Sequence, residues 1–88
     1  MTVGFPNPSR SYDEQHHRVR FWGHDGAKEV TFFIEESAIF KIAPSTAKAE
    51  AAILAAFDTA RDRIMAAAAK VFSPNQRHSF YVLASSDF

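Results

Sequence analysis

The chain has 88 residues and no cysteine, and its ten basic and ten acidic side chains, with four neutral histidines, balance to a formal net charge of zero. These numbers exclude a disulfide framework, a thiolate nucleophile and a cysteine-based zinc site, and they leave no global field to gather phosphate backbones or anionic membranes. A single domain of this size buries only about 60–65% of its unfolded surface, so nine Phe, one Trp and two Tyr must supply an efficient core, each burying roughly 150–250 Å².

No basic region followed by an apolar run opens the chain, and no stretch approaches the roughly 20 apolar residues of a spanning helix. A cytosolic compartment is therefore the default expectation. Met1 to Ser11 carries Gly4, Phe5-Pro6 and Asn7-Pro8-Ser9, and residues before proline favour extended geometry. This predicts an extended N-terminal arm over residues 1–11, anchored by Phe5. Tyr12 to His17 is polar and gives no periodic signal. His17 to Trp22 alternates, with Val19 and Phe21 on one face and Arg18, Arg20 and Trp22 on the other, which predicts a first strand.

Gly23 to Ala27 contains the Asp25-Gly26 pair suited to a tight hairpin turn. A second strand is expected over Lys28 to Ile34, with Val30, Phe32 and Ile34 on one face and Thr31 and Phe33 on the other. The period then changes. Ala38, Ile39 and Ile42 suggest a short helix over Glu35 to Phe40, stopped by Pro44. Ser45 or Thr46 can cap the longest periodic segment, which runs to Phe72. On a helical wheel Ile53, Phe57, Ala60, Ile64, Ala68 and Val71 fall within about 80° of one another, widened by Leu54, Met65 and Phe72. Lys48, Asp58, Asp62, Arg63 and Lys70 take the opposite side. Ser73-Pro74-Asn75 forbids continuation, and Ser79 to Ala84 reads as a last strand, Phe80 and Val82 alternating with Tyr81 and Leu83.

This order gives a two-layer α+β domain over residues 1–88: a small antiparallel sheet with the long helix packed on one face. The helix is too long for it. At about 1.5 Å per residue it spans roughly 40 Å, against about 20 Å for strands of about six residues. A kink, cover from the arm at Phe5, or a second subunit must deal with the overhang.

The chain resembles the small bacterial family catalogued as domain of unknown function 1488. The residues that carry the resemblance are Phe5-Pro6, Tyr12-Asp13, Val19-Arg20-Phe21 followed by Asp25-Gly26, Val30, Ile34, Ala38-Ile39, Phe57, Arg61 and Ile64, and the terminal Ser86-Asp87-Phe88. The family pattern places Cys near Phe32, Ser near Glu35 and Glu near Ser37, and this chain departs at all three. The resemblance implies an α+β fold and no known activity, cofactor or catalytic residue.

The polar residues narrow the functional classes further. His16, His17, His24 and His78 are the only candidates for a metal site, and adjacent strand residues point to opposite faces, so no metal and no cofactor is expected. Arg61 lies within about 60° of Phe57 and Ile64 on the wheel, inside the apolar arc. A buried cation needs a carboxylate or several carbonyls; Asp87, the C-terminal carboxylate and Asp13 are the candidate carboxylates. Arg61 serves either as a structural ion pair or as a ligand anchor. Arg18, Arg20, Trp22 and Phe33, with Tyr81 from the last strand, would share the sheet face the helix leaves open. Such a face can bury itself in a protein partner, stack single-stranded bases, or stay solvated under the arm.

Asp58 and Asp62 stand one helical turn apart, but no nucleophile joins them at a defined spacing. The expectation is a module that is not an enzyme and acts through protein contacts, as a homodimer or an accessory protein. Single-stranded nucleic-acid binding is the alternative. An enzyme built on the His24-Asp25 turn or Arg61 has the least support.

Overall fold

The computed structural model describes residues 3–73 and 79–88. In chain order the elements are β1 (Arg10–Asp13), β2 (Arg18–Asp25), β3 (Lys28–Glu35), α1 (Glu36–Ile42), α2 (Glu50–Thr59), α3 (Arg61–Val71), β4 (Phe80–Leu83) and a 3-10 turn at Ser85–Asp87. The strands form one sheet in the order β1-β2-β3-β4. The α+β class and the helix-covered sheet stand as expected, but the sheet is mixed. β1 and β3 flank β2 antiparallel, whereas β4 lies parallel to β3. Three helices separate β3 from β4, and a crossover of that kind returns the chain to run in the same direction.

Alternation decides which face is covered. Val19 and Phe21 of β2, Val30, Phe32 and Ile34 of β3, and Tyr81 and Leu83 of β4 join one core with Ala38, Ile39, Ile53, Phe57, Ile64, Ala67 and Ala68 of the helices. The apolar faces expected of the first two strands and of the long helix are the ones buried. Phe21 and Phe32 stack at 5.4 Å, and Phe57 meets Phe21 at 5.3 Å.

β2 runs through Gly23 and His24 to Asp25, beyond the expected end at Trp22, and the hairpin closes on Gly26 and Ala27 alone. Gly26 has φ of 64°, a conformation glycine adopts without a Cβ clash. Gly23, a strand residue paired with Val30, is glycine for a different reason: a Cβ there would meet Phe5 Cε1 and Val3 Cγ2 at 2.9 Å and Phe32 Cε2 at 3.1 Å. The arm uses that space. Gly4 exchanges both backbone hydrogen bonds with His24, at 2.9 and 2.8 Å, and Phe5 sits 5.6 Å from Phe32 and 6.2 Å from Phe21, the anchor its sequence position suggested. Beyond Ser9 the extended segment becomes β1, which the polar composition had hidden.

The segment Ser45–Phe72 is two helices rather than one. Neither Ser45 nor Thr46 caps it; the first helix starts at Glu50 after Ala49, with no side-chain cap. The break falls at Ala60, with φ −97° and ψ 14°. There the Thr59 hydroxyl donates to Ala55 O at 3.0 Å, a back-bond that bends helices. With ten residues in α2 and eleven in α3, each helix is about 15–17 Å long, which matches the strands. The overhang is thereby resolved within the chain.

Short helix α1 starts one residue later than expected and runs to Ile42. Its Ala38 and Ile39 are buried, and Ala43 N–H closes it on Ile39 O at 2.8 Å. The expected stop at Pro74-Asn75, and His78, lie outside the described residues.

Candidate interaction surface on the sheet

The strand registers lay out the helix-free face in rows. Asp13, Arg18 and Glu35 share the first, then Ser11, Arg20, Phe33 and Val82, then Trp22, Thr31 and Phe80, and finally His24 and Glu29 at the hairpin end. Phe33 is only 4% exposed although no helix covers it. Its cover is local: the Arg18 guanidinium lies 3.7 Å from the ring centroid, the Arg20 guanidinium 5.4 Å away, and Phe80 meets the ring edge-on at 5.4 Å. Arg18 is in turn held by Asp13, whose Oδ2 accepts from Arg18 Nε at 3.0 Å. This is a cation stacked on an aromatic face and pinned by a carboxylate.

Burial pushes the Asp13 carboxyl up, but hydrogen bonds from Arg18 and His16 outweigh it and hold the group below the ordinary aspartate value. Phe80, at 46% exposure, is the one large hydrophobic side chain left exposed among the described residues. Trp22 is half-buried and Arg20 exposed. Among the described residues, Arg20, Glu29 and Glu35 take part in no ion pair.

Four of the six residues singled out in the sequence, Arg18, Arg20, Trp22 and Phe33, are thus brought together. Tyr81 is not with them. It pairs with Phe32 and so points into the helix-covered core, where its hydroxyl donates to Ser73 O at 3.0 Å. Phe80 and Val82 take the positions on the open face, because parallel pairing sets Phe80 beside Thr31 and Val82 beside Phe33.

Arg61 lies with the helices and the arm. Its Nη2 donates to Asn7 O at 2.9 Å and its Nη1 to Pro8 O at 3.5 Å, with the guanidinium 5.9 Å from the Phe57 ring. Carbonyls satisfy it rather than Asp87, the C-terminal carboxylate or Asp13; Asp87 accepts from Ala84 N–H at 2.8 Å. Arg10 adds a two-pronged bond to Asp58, 2.9 Å on each oxygen. Together these contacts strap the arm across the α2–α3 break.

The sequence reading did not find a cleft of about 410 Å³ lined by Tyr12, Glu14, His17, Glu36, Lys48 and Glu50. Tyr12 donates a hydrogen bond to the Glu36 carboxylate there. That bond, burial, and the charges of Glu36, Glu14 and Glu50 push its hydroxyl up to about 12. His17 stands 3.5 Å from the same carboxylate with φ of 53°. Among the described residues no three His, Cys, Asp or Glu side chains converge to hold a metal ion, and no helix is long and apolar enough to cross a membrane.

Fold and surface define a small mixed-sheet α+β domain whose distinguishing feature is an arginine and aromatic sheet face. The chain belongs to the family described as Protein of unknown function (DUF1488), which it matches over residues 3–83. Comparison with curated proteins and with solved structures finds no match.

Proposed function

We propose that the chain is a cytosolic interaction module without catalysis of its own, that its working surface is the helix-free sheet face, and that its partner is a protein. One observation carries this reading: exposed Phe80 shares a row of the face with half-buried Trp22, Thr31 standing between them, and exposed Arg20 lies in the adjoining row. Protein interfaces are enriched in aromatic residues and arginine at their centres. The arm adds indirect support. It is strapped to α2 and α3 by Arg10 and Arg61, so it does not serve as a lid over this face.

Exposed Phe80 and Arg20 with half-buried Trp22 also suit base stacking, which keeps single-stranded nucleic acid as the second reading. Charge weighs against it, because Asp13, Glu29 and Glu35 share the face with the two arginines. A photo-crosslinking side chain placed at Phe80, with Asp62 on the outer helix surface as control, separates the readings. The protein reading requires a protein adduct at Phe80 that is absent at Asp62 and lost on Trp22→Ala. Equal adducts at both positions refute it. Salt-dependent retention of single-stranded oligonucleotides, weakened by Arg20→Ala, turns the assignment to nucleic acid.

A further inference from the structure

The charges on the open face are sorted by strand. The face residues of β2 are Arg18, Arg20, Trp22 and His24, without a carboxylate. Those of β3 are Glu29, Thr31, Phe33 and Glu35, without a cation. The register sets them side by side as Arg18 with Glu35, Arg20 with Phe33, Trp22 with Thr31 and His24 with Glu29. Yet among the described residues neither glutamate closes an ion pair inside the protomer. Beyond the Arg18–Asp13 pair that β1 supplies, the two central strands thus divide into complementary halves, which is what a twofold contact needs, since an isologous interface must complement itself.

We infer that this face packs against the same face of a second copy, about a twofold axis that runs parallel to the strands between β2 and β3. The inference rests on the reading above and names its partner. Rotation about that axis keeps each row in place and exchanges β2 with β3. Arg18 then faces the partner's Glu35, Arg20 the partner's Phe33, Trp22 the partner's Thr31, and His24 the partner's Glu29. Packed sheets lie about 10 Å apart with strands about 30° out of line. That tilt moves the outer rows by about one strand spacing, within reach of arginine and glutamate side chains.

The other in-plane axis, perpendicular to the strands, sets Glu35 against the partner's Glu29 and Glu29 against the partner's Glu35. Two carboxylates then meet in each outer row, which selects the first axis. Zero net charge leaves no global repulsion between copies. Four strands about 4.8 Å apart and about 20 Å long give a footprint near 400 Å² per copy, roughly 800 Å² in total, which is below the standard size and marks the association as a weak, transient one.

Sedimentation equilibrium on the full chain from about 10 to about 500 µM tests this, with the emission of the single Trp22 as a second readout of its burial. The wild type is expected to pass reversibly from monomer to dimer with a Trp22 blue shift. His24→Glu faces the partner's Glu29 twice in a symmetric pair and weakens association by about fivefold or more. Glu29→Lys mixed with His24→Glu in equal amounts restores a mixed dimer near wild-type strength. Both substitutions lie at the exposed hairpin end, and circular dichroism checks that each variant is folded. A mixture that associates no better than His24→Glu alone overturns the inference, as does a dimer indifferent to Trp22→Ala. A chain that stays monomeric throughout overturns the second copy; if the Trp22-dependent adduct at Phe80 is still a heteroprotein, the interaction-module reading survives, and if no such adduct forms, both fail.

Discussion

Replacing Gly23 by alanine tests the central packing argument, that the arm is part of the core because a strand residue lacks a side chain. The added Cβ would lie 2.9 Å from Phe5 Cε1, 2.9 Å from Val3 Cγ2 and 3.1 Å from Phe32 Cε2. Phe32 has nowhere to go: it is fully buried and held between Phe5, Phe21 and Tyr81, with centroids at 5.6, 5.4 and 5.4 Å. The arm must move instead. Overpacking of this kind costs about 1–3 kcal/mol, while alanine recovers roughly 0.5–1 kcal/mol of backbone entropy relative to glycine in a strand.

The net expectation is a loss of about 1–1.5 kcal/mol. In a domain this small that lowers the midpoint of thermal unfolding by about 4–10 °C and the urea midpoint by about 1 M. The assay is urea unfolding followed by Trp22 fluorescence, repeated in a Phe5→Ala background. With the ring gone, Gly23→Ala should cost less than half as much, a coupling of at least about 0.5 kcal/mol. An unchanged midpoint, or an equal cost in both backgrounds, would refute the reasoning.

Further outcomes follow from other contacts. Arg61→Ala should release the Asn7 and Pro8 carbonyls and cost roughly 1 kcal/mol, seen as faster amide exchange at Gly4 and along β1; unchanged exchange there would dissociate Arg61 from the arm. Thr59→Val removes the hydroxyl back-bond to Ala55 at constant shape and should reduce the bend at Ala60, measurable as a longer separation between spin labels at residues 51 and 70. The Tyr12 hydroxyl, pushed up to about 12, favours the folded state below the ordinary tyrosine value of about 10, and that stability is lost as pH rises from there through about 12. Phenolate absorbance should show this late titration, and Glu36→Gln should bring it down. The Asp13 carboxyl is held below its ordinary value, so its contribution is complete above about pH 4 and lost as pH falls through the lowered native value. Asp13→Asn should flatten the acid limb of the stability curve.

How much of this was legible in the sequence depended on whether a signal was local. The faces of β2 and β3 and the apolar arc of the helices follow from periodicity alone, and the structure keeps them. Tyr81 shows where periodicity stops: in Phe80-Tyr81-Val82-Leu83 both alternate sets are apolar, so only the register with β3 says which pair faces the helices. Gly23 reads locally as a turn; pairing with Val30 makes it a strand residue, and Phe5 and Val3, remote in sequence, leave room there for glycine alone. The break at Ala60 carries no proline or glycine, and the one local feature beside it is the Thr59 hydroxyl bonded to Ala55 O, which no periodicity announces. β1 has no apolar alternation to announce it, since ion pairs from Arg10 to Asp58 and from Asp13 to Arg18 help hold it in place. The arginine and aromatic part of the surface was therefore visible early, whereas Phe80, Glu29 and Glu35 joined it only through strand pairing.

That division separates what the face needs for folding from what it offers to a partner. Phe33, Arg18 and Asp13 form a closed unit: the ring is covered, the cation is stacked and paired, and the carboxylate accepts from Arg18 and His16. That unit is satisfied within one protomer, and breaking it would expose a core-like ring, so substitutions there should be felt first as lost stability. Arg20, Trp22, Glu29, Glu35 and Phe80 surround it with charges that pair with no other described residue and aromatic surface only partly covered. Desolvating Phe80 and Trp22 against a partner contributes about 25 cal/mol for each Å² of apolar area removed from water, while an unpaired charge can be buried only where it finds its opposite. A partner must therefore be apolar near Phe80, anionic or aromatic over β2 and cationic over β3. The face itself, turned about an axis along its strands, lays its arginine strand over the partner's glutamate strand, which is why the surrounding residues, and not the closed unit, are where substitutions should separate binding from folding.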